Sequence, residues 1–396
     1  MNHWENIVPS RETPGERARM IAQDVEHTSE KGDPSELRVL KIRNALKERG
    51  LLEQEVARIK SLFKAELGPF ARHFGDDCWE MLTVLELFDE ETAWHCVDTY
   101  EIARNKVEKT LWNGLVLADE FHAESVDLGR FYRACLLHDV GKIEVPHAVL
   151  VNRVTDERCA AILFQHQDDV LLPRLREKLG DNFSLPKSVD SPGALLQFLY
   201  DDLHLRPQAV APIKLLLDEQ SVDDGLSEQL AHCGCTPDDS LLDIMRTHDT
   251  HSEKILSHLG YTVEGKLAGS HHQHKNGEHR YRITIGSLQV SIDLADIVHL
   301  ADVENAILSR RHYKDKQTPI DALRVLSLHA RQGLVEGYVA YLWIADEMQS
   351  INRQALTGSE IAAYDSLVSF LDTERSHHLG WPDWRTTTME MRKAAA

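Results

Sequence analysis

Apolar positions recur at helical spacing through most of this chain. Leu37, Leu40, Ile42 and Leu46, then Leu51, Leu52, Val56, Ile59 and Leu62, predict a helical pair over residues 35–66 that is interrupted at Gly50. The rhythm resumes after Pro69 and runs to about residue 90. It returns in Leu241-Leu242-Asp243-Ile244-Met245, over 319–350 and over 358–373. Leu171–Leu175 and Leu195–Leu199 predict further helices, separated by turns at Gly180-Asp181-Asn182 and Ser191-Pro192-Gly193. One stretch breaks the period. Tyr281, Ile283 and Ile285, then Leu288, Val290 and Ile292, alternate with polar residues around Gly286-Ser287, which predicts a small β-hairpin. The expected fold class is therefore all-α with one hairpin. Residues 1–34, with Pro9, Pro14, Gly32 and Pro34, read as a flexible tail holding a short helix, and 35–89 as an N-terminal helical region. Residues 90–350 read as the main domain and 351–396 as a C-terminal helix and tail, with Trp381 and Trp384 folding back on the core.

Composition narrows the classes. The chain has 396 residues, enough for a large core and two or three domains. Its 42% hydrophobic share is ordinary for a globular protein. No apolar run reaches the ~18–20 residues a membrane-spanning helix needs, and Met1–Asn6 lacks the pattern of a secretion signal. Six scattered cysteines fit a reduced cytoplasmic setting better than a disulfide framework. His232-Cys233-Gly234-Cys235 has no second pair at matching distance and reads as a turn. The net charge of −20 argues against DNA or RNA as partner, since such binding neutralises backbone phosphates. A small phosphate ester remains compatible, because bound metal ions invert the local field.

The candidate chemistry lies in imidazoles and carboxylates that interrupt apolar runs. His138-Asp139 follows Leu136-Leu137 and precedes Lys142. A charged pair at the inner end of a buried helix is costly unless a metal or partner compensates it. The aspartate can bridge two ions, and Lys142 sets a cation where an anionic substrate could meet it. Glu91 and His95 share a helix face at i and i+4. His248-Asp249 and His251 follow an apolar-periodic stretch, His271-His272 is a tandem pair, and Asp302 ends the apolar run from Ala295. Mixed imidazole and carboxylate donors suit Fe, Mn or Zn better than Ca or Mg.

The order His138-Asp139…Lys142, His248, His271-His272, Asp302 resembles the HD superfamily of metal-dependent phosphohydrolases. The runs Leu137–Pro146 and Ala301–Ala306, the latter continuing through Arg311-His312-Tyr313-Lys314 to Asp321-Ala322-Leu323, are similar to its HD-GYP branch. The resemblance covers roughly residues 90–157 and 241–330. It implies an HD-type helical bundle holding two or three divalent ions, with Fe or Mn foremost and Zn compatible. Asp139 would bridge two ions, completed on one side by His138, His95 and Asp302 and on the other by His248, His271 and His272. Glu91 with His95 resembles members that hold three metals. The implied activity is phosphodiesterase action on a cyclic dinucleotide such as cyclic di-GMP, through metal-activated water. Lys142, Arg311 and Lys314 would bind the phosphate. Pairing of the N-terminal helical regions into a homodimer fits such a signalling enzyme.

The chain departs from the branch in three places. The usual His-His-Glu is His271-His272-Gln273. The Gly-Tyr-Pro signature is replaced by His279-Arg280-Tyr281. His248 stands 110 residues after His138, which makes 158–240 an insertion and leaves His166, at the branch's ordinary spacing, as a rival ligand. The context around Thr236-Pro237-Asp238-Asp239 favours His248. The departures keep two further functions open: hydrolysis of another nucleotide or phosphate ester, and a catalytically degenerate nucleotide-binding sensor.

Overall fold

Helices account for nearly all regular structure in the computed structural model, which describes residues 13–28, 37–109, 127–150, 154–203, 205–217, 224–272, 282–285, 290–309, 318–377 and 383–385. The N-terminal part comprises α1 (Pro14–Thr28), α2 (Arg38–Glu48), α3 (Leu52–Leu62), α4 (Lys64–Leu67) and α5 (Asp76–Phe88). The expected break after α2 falls at Gly50, whose φ of 66° is the left-handed conformation that glycine adopts without strain. One expectation fails here. Residues 14–28 are not part of a loose tail, because Ala18 and Ala22 are fully buried and α1 packs on α2 and α5. Small side chains one helical turn apart let the helix backbone approach the core closely, an effect that hydropathy alone does not reveal.

Next come α6 (Glu90–Lys109) and α7 (Leu128–Leu137). In α6, Ala93, Cys96, Val97, Tyr100 and Ala103 bury one stripe at the spacing of a packed helix face. Phe131, Tyr132 and Ala134–Leu137 of α7 are all inaccessible to solvent. The helix begins at Asp127, whose carboxylate accepts from the Arg130 amide (2.8 Å). It delivers the chain into a 3-10 turn, Val140–Glu144.

Residues 145–245 build a smaller core of their own. It includes Val145, Leu163, Leu175, Leu199, Ile213, Leu230 and Ile244. Its helices are α8 (His147–Leu150), α9 (Asp156–Gln165), α10 (Leu172–Leu179), α11 (Pro192–Asp201), α12 (Ile213–Leu216) and α13 (Asp224–His232).

The chain then re-enters the main core with α14 (Leu241–His258) and α15 (Thr262–Ser270). A Cβ added at Gly265 would stand 2.9 Å from the Glu253 carbonyl, and one at Gly269 2.9 Å from the Glu253 Cβ. The close packing of these helices therefore requires both glycines. Strands β1 (Arg282–Ile285) and β2 (Val290–Asp293) pair antiparallel, Arg282 opposite Asp293 and Ile285 opposite Val290. The turn expected at Gly286-Ser287 lies outside the described residues. Helix α16 (Leu294–Leu308) is buried without a break from Leu294 to Asp302, and packs on α6, α15 and α17 (Pro319–Gln332). Then α18 (Gly337–Met348) and α19 (Gly358–His377) close the main core. Trp384 is buried against it and donates to Asp372 (3.0 Å). Among the described residues no helix is long and apolar enough to cross a membrane. All six cysteines are free thiols.

Candidate metal centre

Five elements converge on one buried cluster. Helix α6 supplies His95, and the end of α7 supplies His138 and Asp139. Helix α14 supplies His248 and Asp249, the end of α15 His271 and His272, and α16 Asp302. The donors form two groups, His95/His138/Asp139/Asp302 and His248/Asp249/His271/His272, with the donor atoms of each group within 4.8 Å of one another. All but His272, which is half-buried, are buried.

Asp139 stands between the groups. Its Oδ2 lies 3.4 Å from His138 Nε2, 3.5 Å from His95 Nε2 and 2.5 Å from Lys142 Nζ. Its Oδ1 lies 3.0 Å from His248 Nε2. Asp302 spans them in the same sense, with Oδ1 2.7 Å from His95 Nε2 and Oδ2 3.7 Å from His272 Nε2. Asp249 Oδ1 is 3.0 Å from His248 Nε2 and 3.8 Å from His271 Nδ1.

Backbone carbonyls set the imidazoles. His138, His248 and His271 each direct Nδ1 at the carbonyl three residues earlier, of Cys135 (2.9 Å), Met245 (2.5 Å) and Ala268. A carbonyl only accepts, so Nδ1 carries the proton and Nε2 turns inward. Nε2 of all three, and Asp249 Oδ1, are buried without a well-aligned hydrogen-bond partner. The 3.0 Å approaches of His248 to the two carboxylates are thus ionic contacts rather than aligned hydrogen bonds. Buried unpartnered nitrogens are expensive. Three of them facing shared carboxylates form a donor set that a divalent ion satisfies, so these residues fit a metal. His95 is held differently: Asn305 Nδ2 donates to its Nδ1 (2.8 Å), and Nε2 carries its proton toward Asp302.

The electrostatics match a site built for cations. Burial pushes the Asp139 carboxyl up, but Lys142, His138 and His248 hold it well below the ordinary carboxylate range. Burial likewise opposes the charge on Asp302, yet His138 and His95 bring it well below that range. His248 is raised to about 10, because Asp249 and Asp139 outweigh its burial. His271 is lowered to about 4, burial prevailing over the nearby Asp249.

The turn bearing the pair is fixed from α14. Ser252 Oγ donates to the His138 carbonyl (2.6 Å) and accepts from the Gly141 amide (2.8 Å). A Cβ on Gly141 would fall 2.1 Å from the His248 carbonyl, so only glycine lets the turn reach α14.

Seven of the residues expected as ligands therefore meet: His95, His138, Asp139, His248, His271, His272 and Asp302. Glu91 does not join them. It is exposed, one turn before His95, and outside both groups. The rival His166 caps the end of α9, where it pairs with Asp169 (3.3 Å), apart from both groups. Lys142 sits at the site, whereas Arg311, Lys314, Gln273 and His279–Tyr281 lie outside the described residues. Asp249 belongs to the cluster, although the resemblance does not imply it as a ligand. Its signal was its place beside His248 in an apolar-periodic run. His299, whose Nδ1 donates to the His271 carbonyl (2.7 Å), and Asn305 were also missed. Asp296 accepts the Glu336 amide at the start of α18 (2.8 Å) instead of entering the cluster.

The fold and site thus define a helical protein with two adjoining, buried His/Asp groups suited to divalent metal, an arrangement compatible with an HD-type fold. Comparison with protein-family models, with curated proteins and with solved structures gives no match to this chain.

Proposed function

We propose that the chain is a metal-dependent phosphohydrolase that cleaves a phosphodiester, with a cyclic dinucleotide as the leading substrate class. The observation that carries this reading is the shared carboxylate: Asp139 turns one oxygen toward each of two adjoining histidine groups. His95, His138, Asp139 and Asp302 would hold one ion, and His248, Asp249, His271 and His272 another, with Fe, Mn or Zn suited to the donors. Bound divalent ions supply Lewis acidity toward a phosphoryl oxygen and toward water.

The protein's own part is orientation and exclusion. The carbonyl-bound Nδ1 atoms fix three imidazoles before any ligand arrives. The surrounding helices keep water from all but the His272 side. Lys142, largely buried, holds its ammonium 2.5 Å from Asp139 Oδ2, where it can meet an anionic oxygen of the substrate. The resemblance to the HD-GYP branch supplies the dinucleotide, and its replaced Gly-Tyr-Pro favours a second reading: the same hydrolysis on another nucleotide or phosphate ester.

The test is metal analysis after anaerobic purification, joined to turnover assays on cyclic di-GMP, cyclic GMP-AMP and linear dinucleotides. We expect about two equivalents of Fe, Mn or Zn, and turnover that is lost with the metal in the His138→Ala/Asp139→Ala variant. A chain that binds no metal, or a double variant that keeps its turnover, overturns the proposal. Turnover confined to other phosphate esters selects the second reading.

A further inference from the structure

Glu144 joins three parts of the molecule at the end of the turn that starts from the His138-Asp139 pair. Its side chain is fully buried, although nothing in a 3-10 turn requires a carboxylate there. Its Oε2 accepts from the Arg38 amide and its Oε1 from the Val39 amide, both at 3.0 Å. These are the first amides of α2, a helix whose own N-cap, Leu37, offers no side-chain acceptor. The carboxylate that caps α2 therefore comes from a residue 106 positions away. Arg38 returns the contact: its guanidinium donates to the Ile143 carbonyl (2.9 Å) and approaches that of Val145 (3.4 Å), on either side of Glu144.

The inserted segment meets the same residue. His232, at the end of α13, places Nε2 3.3 Å from Glu144 Oε2, and the Cys233 thiol donates to the Glu144 carbonyl (3.1 Å). The His232 ring lies parallel to that of His251 on α14, centroids 6.4 Å apart. One turn earlier on α7's exit, Gly141 and the His138 carbonyl are already locked to Ser252. With α14 holding its start and Glu144 its end, the turn has no slack.

We infer that Glu144 is a positioning residue through which the docking of α2, and of the inserted helices, sets the conformation of the metal-bearing turn. Undocking α2 leaves a buried carboxylate without its two backbone donors five residues from Asp139, so the turn must rearrange to hydrate it. Resting on the metal reading above, the consequence is that the N-terminal helices and the insertion govern how tightly the ions are held. Both segments lie outside the cluster itself, and either is a place where a signal could enter.

The test uses the full chain and two readouts. Amide hydrogen exchange over residues 138–145 is compared between the wild type, Glu144→Gln, Arg38→Met and the double variant, and Mn2+ affinity is titrated in each. Exchange in the turn is expected to rise at least about tenfold, and Mn2+ affinity to fall about 10–100-fold, the range for residues that orient ligands. The double variant should add little to either single change, since both break one junction. Thr357→Ala, which removes a hydroxyl hydrogen bond to Glu360 at the start of α19, serves as control and should move neither readout. His232→Gln, at the partly exposed edge of the junction, gives a smaller change of the same sign should the other variants fail to fold. Unchanged turn exchange in variants whose α2 has lost protection overturns the inference. So do strictly additive effects. The two proposals fail separately: a wild type that binds no Mn2+ sinks the metal reading, and the exchange data still decide the coupling.

Discussion

Asp139 is the residue on which the two histidine groups depend together, since it alone faces His138, His95, Lys142 and His248 at once. Asp249 acts locally, against His248 and His271. Asp249→Asn should therefore remove one metal equivalent and leave the other, a difference that elemental analysis of the purified variant reads directly. A pH dependence follows from His248. Its folded value near 10 lies above the ordinary 6.5, so the proton on it stabilises the cluster fully below pH 6.5 and less as pH rises toward 10. An ion must displace that proton. Metal affinity should thus rise with pH between 6.5 and 10, about tenfold per unit for each proton displaced, and calorimetry in buffers of different ionisation heat should show proton release at neutral pH. Affinity that is flat over this window would contradict the assignment. At this scale the sequence revealed most of the donors, because each is a polar residue placed where apolar periodicity predicts burial. Asp249 escaped because neighbours in a helix ordinarily point about 100° apart. Here the two side chains converge, with Asp249 Oδ1 3.0 Å from His248 Nε2.

At the scale of elements, the site depends on close approach. Gly141→Ala would drive a Cβ into the backbone of α14, which cannot move aside. We expect a loss of at least about 3 kcal/mol, the upper end of what overpacking costs, measured by denaturant unfolding, together with loss of metal. Gly269→Ala should act in the same direction more weakly, because part of what it meets is the flexible Glu253 side chain. Helices α2, α3, α10, α11 and α14 were legible from spacing, caps and glycine. Helix α1 reads from sequence as a short helix in a loose tail, because its buried stripe of Ala18, Ile21 and Ala22 is short and sits among Pro9, Pro14, Gly32 and Pro34. Of the hairpin expected over 281–292, only Arg282–Ile285 and Val290–Asp293 are described, and the connection between them is outside the described residues.

For the whole molecule, three buried carboxylates and five imidazoles at the junction of α6, α7, α14, α15 and α16 place a concentrated charge in the main core. Ions held there would act as a cross-brace between elements far apart in sequence. Chelation should lower the thermal midpoint, and saturating Mn2+ or Zn2+ should raise it; at a thousand times the dissociation constant the gain is about 4 kcal/mol, several degrees for a chain of this size. A midpoint insensitive to metal would count against a site shared by so many helices. The inserted segment has its own small core and touches the main one near Glu144, so changes inside that small core should affect local stability before they affect metal content.

The sequence by itself determined most of the imidazoles and carboxylates that meet in the buried cluster, and that the chain is helical, because burial pattern, capping residues and donor types are local properties. It also identified Lys142 beside Asp139, three positions apart at a helix end. The tertiary structure alone decided that His248 rather than His166 joins the pair, that Glu91 stays at the surface, that Asp249 is a donor and that Glu144 caps a helix 106 residues before it. Those outcomes depend on which elements pack together, and no spacing along the chain encodes the distance between two helices brought side by side.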